Sequence, residues 1–266
     1  MSQPAIIVVP DAQTASGRAA EIIADTLRDA VAARGRADWA TTGGSTPVGV
    51  YKALAAMDPG RVPWAEVHTW WGDERFVPPD HPLANSRPFE DILLEAGAYE
   101  SVHSDDPTSR IHIPAENVHP FPTGAAIGAG RDAGWCADRI ESELRAAGIE
   151  ERDGWPVLDL MFIGIGGDGH LLSVFPGSPA LGSPRWALPI PAPTHIEPHV
   201  PRVTLNPATV SVARRVLAVV LGGSKAEVVG RLFGEPVDPS ELPARLAIRE
   251  GATWILDEPA AAQLPR

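Results

Sequence analysis

The stretch Gly164-Ile165-Gly166-Gly167-Asp168-Gly169-His170 places a carboxylate and an imidazole among four glycines. Glycine lets the backbone turn sharply and lie close to a ligand, and a histidine near its ordinary pKa can take and return a proton at neutral pH. The chemistry open to such a stretch is proton transfer on a closely held small molecule. The plainer alternative is a Gly-rich turn with a satisfied loop histidine, because glycine patterns recur after many strands.

Three other stretches carry comparable residues. Thr41-Thr42-Gly43-Gly44-Ser45-Thr46-Pro47 precedes a helical pattern through Tyr51, Leu54 and Met57, with Thr46 predicted as N-cap and Pro47 as the first helical residue. Free N–H groups and the helix dipole favour an anion there, although a plain Gly-Gly turn with a good cap would leave the same trace. Gly72-Asp73-Glu74-Arg75 offers an arginine for bidentate phosphate recognition and two carboxylates to orient it or to bind sugar hydroxyls. A surface ion-pair cluster is the bland reading. Gly222-Gly223-Ser224-Lys225-Ala226-Glu227 sets one of only two lysines, against twenty arginines, at a helix start. A cation is disfavoured there, so a bound anion would account for Lys225.

Each stretch follows a short apolar run, and the runs alternate with helical periodicity. Ala5-Ile6-Ile7-Val8-Val9 reads as a buried strand. Residues 14–34 carry Ala19, Ile22, Ile23, Leu27, Ala30 and Val31 at helical spacing and stop at Gly35. Trp39-Ala40 begins the next strand, which makes a βαβ unit and a parallel sheet. Further strands are predicted at Val67-His68-Thr69-Trp70-Trp71, at 159–163, at Arg202-Val203-Thr204-Leu205, at 215–221 and at Thr253-Trp254-Ile255-Leu256. Helix is expected at 89–95 and across 124–148, the latter packing through Ile127, Trp135, Ile140 and Leu144. In open α/β sheets the edge where strands end is where ligands bind.

Composition narrows the class. The 266 residues can bury a substantial core, 44% are hydrophobic, and the formal net charge is −12. A basic stripe for nucleic acid is not in evidence, whereas a few placed cations can still hold an anionic small molecule. Cys136 is the only cysteine, so there is no intrachain disulfide and no CxxC site. His103, His112 and His119 match no metal-ligand spacing and are expected to be structural or solvent-exposed. No basic n-region precedes residues 5–9 and no run approaches the ~18 apolar residues of a membrane span, so a cytoplasmic protein is expected. No repeat or linker divides the chain, and a single domain over residues 1–266 is the economical reading.

Taken together, GGSTP, GDERFVP, DGH with its xxSxFP continuation, and GGSKAE occur in an order and spacing that resembles the 6-phosphogluconolactonases, over residues 5–256. The resemblance implies an α/β fold: an open, mostly parallel Rossmann-like sheet flanked by helices. It implies hydrolysis of 6-phospho-D-glucono-1,5-lactone in the oxidative pentose phosphate pathway, with His170 as general base and Asp168 as a second catalytic residue. Arg75 and Lys225 are implied anchors for the phosphate, beside Gly43, Gly44, Ser45, Thr46, Gly166 and Gly167. Asp73, Glu74 and Arg202 are further candidates, and His195 and His199 lie on a Pro-rich loop that could cover the substrate. A lactone is an activated ester, so neither metal nor cofactor is expected. The expected partner is the small-molecule substrate, with no nucleic acid or membrane, in a monomer or weak homo-oligomer. Leu171-Leu172 and Val174 depart from the Thr-Ala and Leu usual after the histidine, which bears on substrate fit.

Two other readings share parts of this pattern. Glucosamine-6-phosphate deaminases also carry DGH, but continue into Phe-Asn-Glu-Pro with a glutamate that assists ring opening; Phe175 stands at that position here. A non-catalytic sugar-phosphate sensor would need a DNA-binding extension, and no basic helix-turn-helix precedes the first strand.

Overall fold

The computed structural model describes residues 3–94, 111–234 and 236–265. Its centre is a seven-stranded sheet built from β1 (Ala5–Val9), β2 (Ala37–Thr41), β3 (Val67–Trp71), β4 (Val118–His119), β5 (Leu160–Ile163), β6 (Arg215–Val220) and β7 (Ala252–Asp257). The spatial order is β1-β7-β6-β5-β2-β3-β4, and every pairing is parallel. From β2 the chain runs outward to β3 and β4, then returns to β5 and runs the other way. The order therefore reverses between β2 and β5, and such a switch point opens a crevice beyond the strand ends.

Strands covered on both faces read as continuous apolar runs rather than alternating ones. Leu160–Ile163 is buried throughout, as is Val216 to the end of β6. The edge strand differs from expectation. β1 has the same β-branched composition, yet Ile6 is 39% and Val8 47% exposed, because the two share one face of this edge strand and that face is left largely uncovered.

Helix α1 (Ala12–Arg34) begins where Asp11 accepts the Thr14 N–H at 2.8 Å and ends at Gly35, φ 72°. Its buried stripe of Ala15, Ala19, Ile23, Leu27 and Ala30 packs on the sheet. Helix α2 (Ser45–Ala55) follows β2. Tyr51 of α2 donates its hydroxyl to Thr42 O at 2.6 Å and accepts from Thr41 at 2.7 Å, so the helix is tied to the end of β2. The segment 124–148 is two helices rather than one. Thr123–Gly128 stops before Gly130, φ 61°, and α3 (Ala133–Ala146) restarts on an Asp132 cap. That break leaves Ile127 38% exposed, while Ile140 and Leu144 are buried as expected.

The β2–β5 pair beneath the crevice is locked at its opposite end. Asp159 accepts the Asp38 N–H at 2.9 Å and the Arg34 guanidinium at 2.6 Å, and Asp159 N–H donates to Asp38 O. Buried carboxylates need such partners. A three-stranded antiparallel sheet, Asp73–Arg75, Arg202–Leu205 and Ala187–Ile190, stands beside the crevice. His119 on β4 stacks on Trp70 at 3.9 Å and shares a 3.0 Å hydrogen bond with His68; His103 lies outside the described residues. No described helix is long and apolar enough to cross a membrane.

Candidate active site

Beyond the ends of β2, β3, β5 and β6 lies a cavity of about 390 Å³. The turn after β5 carries His170 on its wall, and two of its glycines are sterically required. A Cβ on Gly166 would stand 2.0 Å from His170 Nδ1 and 2.6 Å from Asp168 Oδ1; on Gly169, φ +85°, it would meet Leu242 at 2.3 Å. Their absence lets the carboxylate and the imidazole fold back over the chain. Asp168 Oδ1 accepts from His170 Nδ1 at 2.6 Å and from the His170 backbone N–H at 3.1 Å. Burial pushes the Asp168 carboxyl up, but the hydrogen bond and charge of His170 and a hydrogen bond from His195 together hold it well below the ordinary range. An ionised carboxylate only accepts. His170 Nδ1 therefore carries a proton toward Asp168, and in the neutral ring Nε2 is the nitrogen left with a lone pair.

His195, from the loop before Arg202, reaches the same carboxylate: its Nε2 is 3.0 Å from Asp168 Oδ2. His199 does not join it, bonding Pro193 O at 2.7 Å instead. Phe175 packs against both imidazoles, with centroids 4.8 Å from His170 and 5.4 Å from His195. Leu172, on the cavity wall, adopts φ 54°, so one of the two departures beside the histidine sits in the left-handed region.

At the end of β3 the charged triplet forms a strand in which Arg75 stands directly opposite Arg202. Both arginines line the cavity, and the Nε of each is buried without a partner. Arg75 donates to Leu83 O at 2.8 Å and Arg202 to Pro198 O at 3.3 Å; the Arg202 guanidinium also stands 5.3 Å from the Phe175 centroid. Burial pulls the Arg202 pKa down, the Asp73 and Asp168 charges work against that, and Arg75 adds to it. Like charges directly opposite on a ladder repel, so an anion between them would relieve the pair.

The two carboxylates of the triplet part company. Asp73 lines the cavity, accepts from the Ser173 hydroxyl, and takes the Asn85 amide on its carbonyl at 2.9 Å. Glu74 was a candidate for the binding set and is not on the cavity wall. Its carboxylate accepts the backbone N–H groups of Arg75 at 2.6 Å, Asn85 at 2.7 Å and Ser86 at 3.0 Å, because successive strand residues point to opposite faces. Burial pushes the Glu74 carboxyl up to about 7, against the pull of those N–H groups. A carboxyl raised on folding favours the folded state most when protonated, so its contribution declines as pH rises from its unfolded value of about 4.3. We expect Glu74→Gln to flatten the fall in melting temperature between about pH 5 and 7 relative to the parent; identical slopes in the two proteins would refute it.

Asn85 had no signal of its own in the sequence beyond lying downstream of the charged triplet. It is 2% exposed, lines the cavity and leaves its Oδ1 without a partner. A Cβ on Gly43 would stand 2.1 Å from that oxygen, which gives the glycine at this position a steric reason. The helix start also differs from expectation: Gly44, φ 94°, is the N-cap of α2, and Ser45 and Thr46 are already helical. Pro47 then falls third, still among the residues whose N–H has no intrahelical acceptor. Gly43, Gly44, Ser45 and Thr46 line the cavity, as do Gly166 and Gly167.

Lys225 completes the cations on the wall. It ends the turn Gly223–Lys225 and precedes helix α4 (Ala226–Phe233), and Gly222 anchors that turn by donating its N–H to Asp257 at 2.9 Å. Burial pulls the Lys225 pKa down and the Asp168 charge works against it. Three cations thus face one cavity in a protein of net charge −12.

The family model described as glucosamine-6-phosphate isomerases/6-phosphogluconolactonase matches residues 10–255. The 6-phosphogluconolactonase of Synechocystis sp. is 32% identical over 262 residues, covering 98% of both chains, and that of Mycobacterium tuberculosis is 32% identical over 263 residues, again 98% of each. Among solved structures, 6-phosphogluconolactonase from Trypanosoma cruzi aligns with a TM-score of 0.82 at 28% identity, over 100% of this chain and 99% of that one. With the family model spanning residues 10–255 and relatives aligned nearly end to end, the chain belongs to the glucosamine-6-phosphate isomerase/6-phosphogluconolactonase family.

Proposed function

We propose that this protein hydrolyses 6-phospho-D-glucono-1,5-lactone to 6-phosphogluconate, working as a single domain over residues 1–266. The observation that carries the reading is one cavity shared by a histidine base oriented by Asp168 and by two opposed arginines with unpartnered Nε atoms. The histidine suits attack at an ester carbonyl, and the arginines suit a phosphate.

In this mechanism His170 Nε2 removes a proton from water as its oxygen bonds to C1. The carbonyl becomes a tetrahedral oxyanion, for which the Gly167 N–H on the cavity wall is our candidate donor; Gly166 and Gly169 use their N–H groups within the turn. As the C1–ring oxygen bond breaks, His170 returns the proton to the departing oxygen. Water is added across the ester and no other reactant is consumed. Arg75, Arg202 and Lys225 grip the remote phosphate, which supplies orientation rather than chemistry, while Asp73 and the free Asn85 Oδ1 accept sugar hydroxyls.

Phe175 separates this reading from deamination, since a phenyl ring packed on the base cannot carry the proton that ring opening requires. The test is to generate the phospholactone enzymatically and follow its decay with and without protein, because it also hydrolyses spontaneously. Accelerated decay to 6-phosphogluconate is expected. Ammonia release from glucosamine 6-phosphate, or binding of sugar phosphate without turnover, would overturn the assignment.

A further inference from the structure

We propose that His195 is a positioning residue for the Asp168–His170 pair, delivered by the loop between the Ala187–Ile190 and Arg202–Leu205 strands. The proposal rests on the hydrolase reading above. Asp168 has two carboxylate oxygens and each holds one imidazole: Oδ1 is 2.6 Å from His170 Nδ1, and Oδ2 is 3.0 Å from His195 Nε2. The carboxylate is thereby fixed about its own axis, and one oxygen is committed to the base. Without the second donor, Oδ2 would turn to solvent, since the Asp168 side chain retains 22% exposure.

His195 itself is not a core residue, its side chain being 52% exposed. An ordinary surface ion pair contributes little. Here, however, the acceptor is half-buried and already bonded to the base, and the His195 ring is set edge-on to Phe175 at 87°. The neighbouring Ile196 lines the cavity and packs on the small apolar cluster that contains Phe175. His199 closes the loop by bonding Pro193 O at 2.7 Å. The loop is therefore shaped around His195, which uses Nε2 on Asp168. Since Asp168 sets the His170 tautomer, His195 acts on the reaction through it and touches no reacting atom.

The experiment is steady-state hydrolysis of the enzymatically generated phospholactone by parent, His195→Phe, His195→Gln and the Asp168→Asn pairings. Phenylalanine keeps a ring beside Phe175 and loses the donor; the glutamine amide can reach the place of Nε2. His195→Phe is expected to lower kcat about tenfold with KM held within about twofold, the mark of a group that matters to orientation in the transition state. His195→Gln should recover most of the loss. In the Asp168→Asn background, His195→Phe should cost nothing more, because residues that act through one another are not additive. Parent-like kcat in His195→Phe, equal impairment in the Gln variant, or the same tenfold loss in the Asp168→Asn background would each overturn the proposal. An inactive parent would sink the hydrolase reading and this one with it, whereas an active parent leaves the variants to judge His195 alone.

Discussion

His170→Ala is expected to lower kcat for the phospholactone by about 10²-fold or more, with KM near the parent value. The base serves twice, taking a proton from water and returning it to the leaving oxygen, and alanine can do neither. Its ring contributes little to holding the substrate, because the groups assigned to grip the phosphate are other side chains of the cavity lining, Arg75, Arg202 and Lys225. The loss should therefore appear in kcat and in kcat/KM alike, as for an interaction made only in the transition state. Asp168→Asn should move the same way for a separate reason. An amide can donate to Nδ1 and so stabilise the tautomer with the proton on Nε2, which leaves no lone pair facing water. Rates must be corrected for spontaneous decay, and a melting curve must show that each variant is folded. A folded His170→Ala protein with near-parent kcat would remove His170 from the base role.

Much of this site was legible because its parts are local. A short apolar run followed by Gly-rich residues marks a strand end, and four such marks at one sheet edge converge in the structure on one cavity. What remained unreadable depends on partners distant in the chain. β1 and β5 are both apolar and short, and only the sheet order says that one is an edge with Ile6 and Val8 exposed. Thr46 looked like the cap of α2, but Gly44 can adopt φ 94° and starts the helix earlier. Within Asp73-Glu74-Arg75, alternation on a strand sends Glu74 away from the cavity, and nothing local says that Arg202 is the residue opposite Arg75. Asn85 and His195 lie in loops without periodicity. Their roles rest on an unpartnered oxygen and on one hydrogen bond to Asp168, both of which exist only once the chain is folded.

Replacing Arg202 by methionine is expected to cost about 10²-fold in kcat/KM for the phospholactone and far less for gluconolactone, since one charge-assisted hydrogen-bonding group contributes about 1.5–3 kcal/mol. Arg202 is 3% exposed, faces Arg75 across the ladder, and has an Nε without a partner. In the unliganded protein it is a buried cation beside another cation, so removing it should not greatly lower the melting temperature, the more so because methionine preserves contact with the Phe175 ring. With 6-phosphogluconate present the comparison should change. Ligand that binds only the folded state raises stability in proportion to ln(1 + [L]/Kd), and the variant should lose most of that increment. Lys225→Met should show the same selectivity loss, and Arg202→Lys should fail to restore it, because a point charge cannot reproduce a planar fork aimed from a buried strand. A variant pair that still prefers the phosphorylated lactone as strongly as the parent would place the phosphate elsewhere in the cavity. The opposed arginines would then need another explanation for their proximity, since neither has a carboxylate within salt-bridge distance among the described residues.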